Sequence, residues 1–166
     1  MFGKNIFNKL ENSFKAQNKT WIQRNLRVYI EPINLFDQYK NELYYKIAVD
    51  SINMWANAIS EFIDIKYTND IIESDINIRW ELSNKTDTAC TLNWTEDYKI
   101  YGADITISLA RKDSPEVVKA LVLHTIGHSL GLVHSKNKNS VMSESYKAQN
   151  ICEDDIKQIE YLYKKG

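Results

Sequence analysis

Histidine occurs three times in this 166-residue chain, at positions 124, 128 and 134. All three lie in the run His124-Thr-Ile-Gly-His128-Ser-Leu-Gly131-Leu-Val-His134. Helical residues four apart sit one turn above each other on one face, so His124 and His128 can reach a single ion. Gly131 tolerates positive φ and can end the helix, turning the chain back. His134, three residues later, then comes round as a third ligand. Three neutral imidazoles leave the fourth position of a tetrahedral zinc ion open to water, which marks a catalytic rather than a structural site. Histidines four apart also arise by chance on surfaces and in cores. That reading is weakened because every histidine in the chain falls at these spacings.

The flanking sequence says which elements must hold these residues. Ser114 as N-cap, Pro115 at the first helical position and Glu116 in the first turn open a helix. It runs through Val117, Val118, Leu121, Val122 and Ile126 to Gly131. Upstream, Tyr44, Ile47, Ala48, Ser51, Trp55 and Ile59 follow a 3.6-residue period, predicting a long amphipathic helix from Tyr39 to about Ser60. Leu26 to Glu31 alternates like a strand, as do Phe62 to Tyr67, Ile76 to Trp80 and Ile105 to Leu109. Ala89 to Trp94 is a weaker strand candidate. A last helix begins near Glu153 and carries Ile156, Ile159 and Leu162. The order predicts an α+β domain with a mixed sheet.

Residues 2–15 place Ile6, Phe7, Leu10 and Phe14 on one helical face. That suits a membrane-surface or pro-segment helix, or more simply a helix packed on its own domain. The division expected is an N-terminal amphipathic segment, 1–24, and a domain, 25–166. Composition is ordinary for a globular chain, 43% hydrophobic and 26% charged. A net charge of −1 supplies no positive field for nucleic acid. No apolar run is long enough to span a bilayer, and the N-terminus lacks the apolar core of a secretory signal. Cys90 and Cys152 can bridge or remain two free thiols; their spacing leaves both open. Three N-x-T triplets, at Asn18, Asn84 and Asn93, read as accidents of an Asn-rich composition.

The histidine run resembles the metzincin zinc metallopeptidase signature HExxHxxGxxH, and is most similar to its matrixin branch. Ser135 after the third histidine is similar to that branch, and Ser140-Val141-Met142 resembles the Met-turn, with Met142 beneath the ligands. Asp154-Asp155-Ile156 and the following Ile-Glu-Tyr-Leu-Tyr resemble the matrixin C-terminal helix. The resemblance extends over about residues 25 to 163. It implies a mixed twisted sheet with a long first helix, an active-site helix and a C-terminal helix. It also implies one catalytic zinc, a peptide or protein substrate, and an extracellular setting if a leader is removed. Calcium fits the family, but no residue pattern here marks a calcium site, and none reports the oligomeric state. Ala89 to Trp94 resembles the edge strand that pairs with an extended substrate, which would place Thr91 and Leu92 in substrate binding.

Three departures bear on activity. Thr125 stands where the family has the glutamate that takes a proton from zinc-bound water. A hydroxyl is too weak a base for that near neutral pH, so activity is expected to be strongly impaired. Residues 143–146 lack the proline that usually follows the Met-turn, and Cys90 lies outside the cysteine-switch context. Glu144 is a distant substitute for the missing base. Tyr146 resembles an oxyanion-stabilising tyrosine, with simple packing as the plainer role. Two functions are therefore in view: a zinc endopeptidase without its base, and a pseudoprotease that captures peptides without cutting them. A purely structural zinc is the weakest of the readings, because the fourth position is open.

Overall fold

A computed structural model describes residues 19–164; the amphipathic stretch at 2–15 lies outside the described residues. Strands β1 (Thr20–Trp21), β2 (Asn25–Ile30), β3 (Asp64–Tyr67), β4 (Ile76–Leu82), β5 (Asp87–Trp94) and β6 (Lys99–Leu109) form one sheet. Helix α1 (Gln38–Ala58) follows β2, α2 (Pro115–Ser129) follows β6, and α3 (Glu153–Lys164) closes the described chain. The sheet runs β1-β6-β4-β2-β3, and β5 also pairs with β6. All pairings are parallel except β5 with β6. This is the mixed α+β arrangement expected.

Parallel neighbours need a long crossover, and α1 supplies it between β2 and β3. Alternation along the strands decides which face α1 and α2 cover. Leu26, Val28 and Ile30 of β2, Ile76, Ile78 and Trp80 of β4, and Ile105, Ile107 and Leu109 of β6 are buried together. Arg27, Arg79 and Glu81 between them stay exposed. Helix α1 is capped by Asp37, whose carboxylate accepts from the Lys40 amide at 2.9 Å. Its inward stripe holds Tyr44, Ala48, Ser51, Ile52 and Trp55. The Trp55 indole donates to the Leu123 carbonyl at 3.0 Å, fastening α1 to the histidine-bearing helix.

Two boundaries differ from the sequence pattern. Phe62 and Ile63 belong to a turn, because both amides donate to the Ile59 carbonyl at the end of α1. β5 begins at Asp87, since its ladder with β6 starts at Asp87 opposite Ser108. β5 is hydrogen-bonded on one side only and is an edge strand.

Candidate metal centre

Ser114 caps α2 by accepting from the Val117 amide at 3.4 Å, and Pro115 and Glu116 follow in its first turn. The helix closes at Leu130 and Gly131. Gly131 has φ +96°, and a Cβ there would lie 2.4 Å from the Lys19 carbonyl oxygen. Left-handed backbone and close approach both require glycine at this turn. The chain then doubles back, and the Leu132 amide donates to the Gly127 carbonyl at 3.1 Å.

That reversal brings His134 to His124 and His128. One ring nitrogen from each of the three lies within 4.8 Å of the others. His124 Nδ1 is 2.8 Å from the Val141 carbonyl and His128 Nδ1 is 2.9 Å from the Leu132 carbonyl. A carbonyl only accepts, so both Nδ1 atoms carry the proton and both Nε2 atoms carry lone pairs. These two Nε2 atoms face each other at 3.0 Å. Two lone pairs that close repel unless a cation lies between them, and bound zinc would set its ligands roughly 3.3 Å apart. The third imidazole follows the same logic: His134 Nδ1 contacts Glu144 Oε1 at 3.0 Å, leaving Nε2 free. Burial, reinforced by the neighbouring imidazoles, lowers the His124 pKa to about 4 and lowers that of His128 as well. Both are therefore neutral and competent to bind metal at neutral pH. The donor set fits a divalent metal of the zinc type.

Beneath the histidines, Met142 is fully buried. A Cβ at Gly127 would sit 2.3 Å from the Met142 sulfur, so that glycine gives the methionine its seat against α2. The Ser135 amide donates to the Met142 carbonyl at 2.9 Å, joining the third histidine's strand of chain to the same turn. Asp155 of α3, wholly buried, holds that turn in place. Its carboxylate accepts from the Ser140 hydroxyl, from the Val141 amide at 3.2 Å and from the Cys152 amide at 2.9 Å.

The remaining candidates fall on different sides of the site. Thr125 is buried and faces β5. Its hydroxyl donates to the Leu121 carbonyl at 2.6 Å and lies 2.5 Å from the Thr88 hydroxyl. With its proton committed to Leu121, Thr125 accepts from Thr88, whose single hydroxyl proton also has the Thr106 carbonyl at 3.3 Å within reach. Glu144 does not stand in for the absent base, because its carboxylate is engaged with the His134 ring. Tyr146, at φ +50°, lays its ring edge-on to His124 with centroids 4.7 Å apart. A cleft of about 350 Å³ opens over the histidines, walled by Leu92, Cys90, Thr88 and Tyr146. Thr91 is exposed and does not line it, so any contact there would come from its backbone. Cys90 and Cys152 are both free thiols. Burial, with Asp104 adding to it, pushes the Cys90 thiol up to about 12.

Sequence reasoning assigned no role to Gly127, Thr88, Asp155 or Lys19. Only Gly127 carried a signal, since glycine inside a helix costs about 1 kcal/mol and asks for a reason. No described helix is long and apolar enough to cross a membrane.

Residues 93–164 match the family model described as matrixin. That span takes in all three histidines, Met142 and α3. A provisionally named matrix metalloproteinase of Trichoplusia ni ascovirus 2c is 33% identical over 67 residues. The similarity covers 40% of this chain and 13% of that protein, so the chain spans a small part of the relative it matches.

Proposed function

From a matrixin-type metallopeptidase domain with its histidine triad intact and its glutamate absent, we propose a zinc-dependent peptide-binding cleft with strongly impaired peptidase activity. One zinc ion is held by His124, His128 and His134, and an extended peptide or protein segment lies beside β5. The observation that carries this reading is the pair of Nε2 atoms 3.0 Å apart, each turned inward by a carbonyl on its Nδ1. Zinc at such a site supplies Lewis-acid activation of water and of a carbonyl.

The chain's own residues decide how far that chemistry goes. Val141, Leu132 and Glu144 orient the three rings. The free edge of β5 offers backbone donors and acceptors to an extended chain, and Leu92 offers an apolar wall. Tyr146 borders the cleft beside His124. What is missing is a proton acceptor. Thr125 donates to Leu121 and accepts from Thr88, and has no carboxylate with which to orient water. Loss of a general base costs about 10²- to 10⁴-fold, or roughly 3 to 5.5 kcal/mol of barrier.

The same hydrogen bonds favour a second reading, a pseudoprotease that captures peptides. Thr125 is built into the cleft wall rather than left as a stub. One experiment tests the shared core of both readings. The zinc-loaded chain should bind a peptide hydroxamate in solution while cleaving denatured protein barely above background. Cleavage at the rate of an ordinary protease would refute the impairment; failure to bind zinc would refute the site.

A further inference from the structure

Among the described residues, Lys19 is the only lysine, arginine or carboxylate residue lining the histidine cleft. Its position is fixed by the backbone around it. The Lys19 carbonyl packs against Gly131. The next residue, Thr20, donates its amide to the Tyr98 carbonyl at 3.2 Å, and the Trp21 indole donates to the Ser129 carbonyl at 2.8 Å. Lys19 is thereby held at the cleft as one of its lining residues, with its side chain reaching to Trp94. Its ammonium lies 4.0 Å from the centre of the Trp94 ring, which in turn stacks on Tyr98 at 5.5 Å and 14°. Among the described residues no carboxylate forms an ion pair with it.

This is an unusual way to keep a cation. An aromatic face offers modest attraction, and among the described residues no carboxylate adds to it. Burial lowers the Lys19 pKa from its ordinary value, as expected of a charge losing part of its water. A ligand carboxylate entering at the Trp94 end of β5 would supply an anion, next to the only lysine or arginine among the described residues that line the cleft. The apolar wall at Leu92 offers nothing comparable to a basic side chain, and Lys19 would repel one.

We infer that the cleft selects acidic peptides, with Lys19, backed by Trp94, reading an aspartate or glutamate side chain at the Trp94 end of β5. The inference rests on the proposed reading of the cleft as a peptide site and names its substrate class.

Calorimetry on the zinc-loaded full chain tests it with acetylated tripeptide hydroxamates. These are identical except for a single Glu, Gln or Lys placed in turn at each position. At one position Glu should bind about three- to tenfold more tightly than Gln, and Lys more weakly than either. That preference should shrink as salt is raised, because it is electrostatic. Lys19→Gln should equalise Glu and Gln, Lys19→Glu should invert the order, and Lys19→Arg should retain it. Because the peptide series is read on the unaltered chain, the inference stays testable even where a variant folds poorly. Equal affinities for Glu and Gln at every position, with the neutral peptide binding well, would overturn the role of Lys19 and leave the peptide site standing. No binding by any hydroxamate would overturn both.

Discussion

At position 125 the useful question is what the hydroxyl does, as well as what it cannot do. Its donor is spent on Leu121 and its acceptor on Thr88, so it ties α2 to the rim strand β5 through a contact of 2.5 Å. Glutamate at 125 would need to extend through the space that the Thr88 hydroxyl occupies. Thr125→Glu alone should therefore recover less activity than Thr125→Glu combined with Thr88→Ala, which clears the path. The double variant should raise kcat/KM on a denatured protein by at least about two orders of magnitude, the lower bound for a general base. An inert double variant that still loads zinc would mean the cleft has lost more than its base. A second variant isolates the tie itself. Thr125→Val keeps the shape but removes both hydrogen bonds, while the Leu121 carbonyl keeps its helical bond and the Thr88 hydroxyl keeps the Thr106 carbonyl at 3.3 Å. Chemical denaturation should show a loss of about 0.5–1.5 kcal/mol, with Thr125→Ser close to the parent. Equal stability of the valine and serine forms would count against the tie.

At the level of elements, the candidate metal ligands depend on a helix that contributes none of them. Asp155 of α3 accepts from Ser140, Val141 and Cys152, and the Val141 carbonyl then orients His124. Asp155→Ala would take this acceptor from the buried Ser140 hydroxyl and Val141 amide and from the part-buried Cys152 amide, at about 1–3 kcal/mol for each group that finds no water. It should also weaken zinc binding about 10- to 100-fold, as loss of an orienting partner typically does. A competitive chelator titration reads the second effect separately from the first. Unchanged zinc affinity in a folded Asp155→Ala protein would sever α3 from the site. β5 makes a different demand, because the peptide binding proposed for it would use backbone groups on its open edge. Amides of adjacent strand residues point to opposite sides. Of Thr91 and Leu92, one therefore donates toward β6 and the other toward the open edge. Proline at the edge-facing position should weaken hydroxamate binding with little loss of stability, and proline at the other should mainly destabilise. Full hydroxamate affinity in both variants would refute the pairing of a peptide with β5.

Across the whole molecule, features written in short stretches of sequence were legible and those assembled from distant stretches were not. His124, His128, Gly131 and Met142 could be read because each acts within one helix, one turn or one short motif. The long helix and most strands could be read from periodicity. β1 has two residues, too few to show any period, yet it carries Lys19 to the mouth of the cleft. The Thr88–Thr125 contact joins residues 37 apart, and Trp21–Ser129 joins residues 108 apart. No local pattern encodes either. The same long-range assembly makes the proposed zinc site a property of the fold. His134 reaches its partners only after Gly131 turns the chain, and the Ser140–Met142 turn is held by Asp155 of α3. Unfolding separates these groups, so zinc binding is linked to folding. At free zinc 1,000-fold above its dissociation constant, the linkage contributes about 4 kcal/mol. For a chain of this size, each kcal/mol moves the melting temperature by roughly 2–4 °C. Removing zinc with a chelator should thus lower the melting temperature by about 8–16 °C, and restoring it should reverse the change. With histidine only at 124, 128 and 134, elemental analysis should find one tightly held zinc per chain. Replacing any one of the three by alanine should abolish both the zinc and the chelator-sensitive part of the melting temperature. Two tightly held zinc ions, or a melting temperature indifferent to chelation in a chain shown to contain zinc, would separate the metal from the fold and defeat the argument.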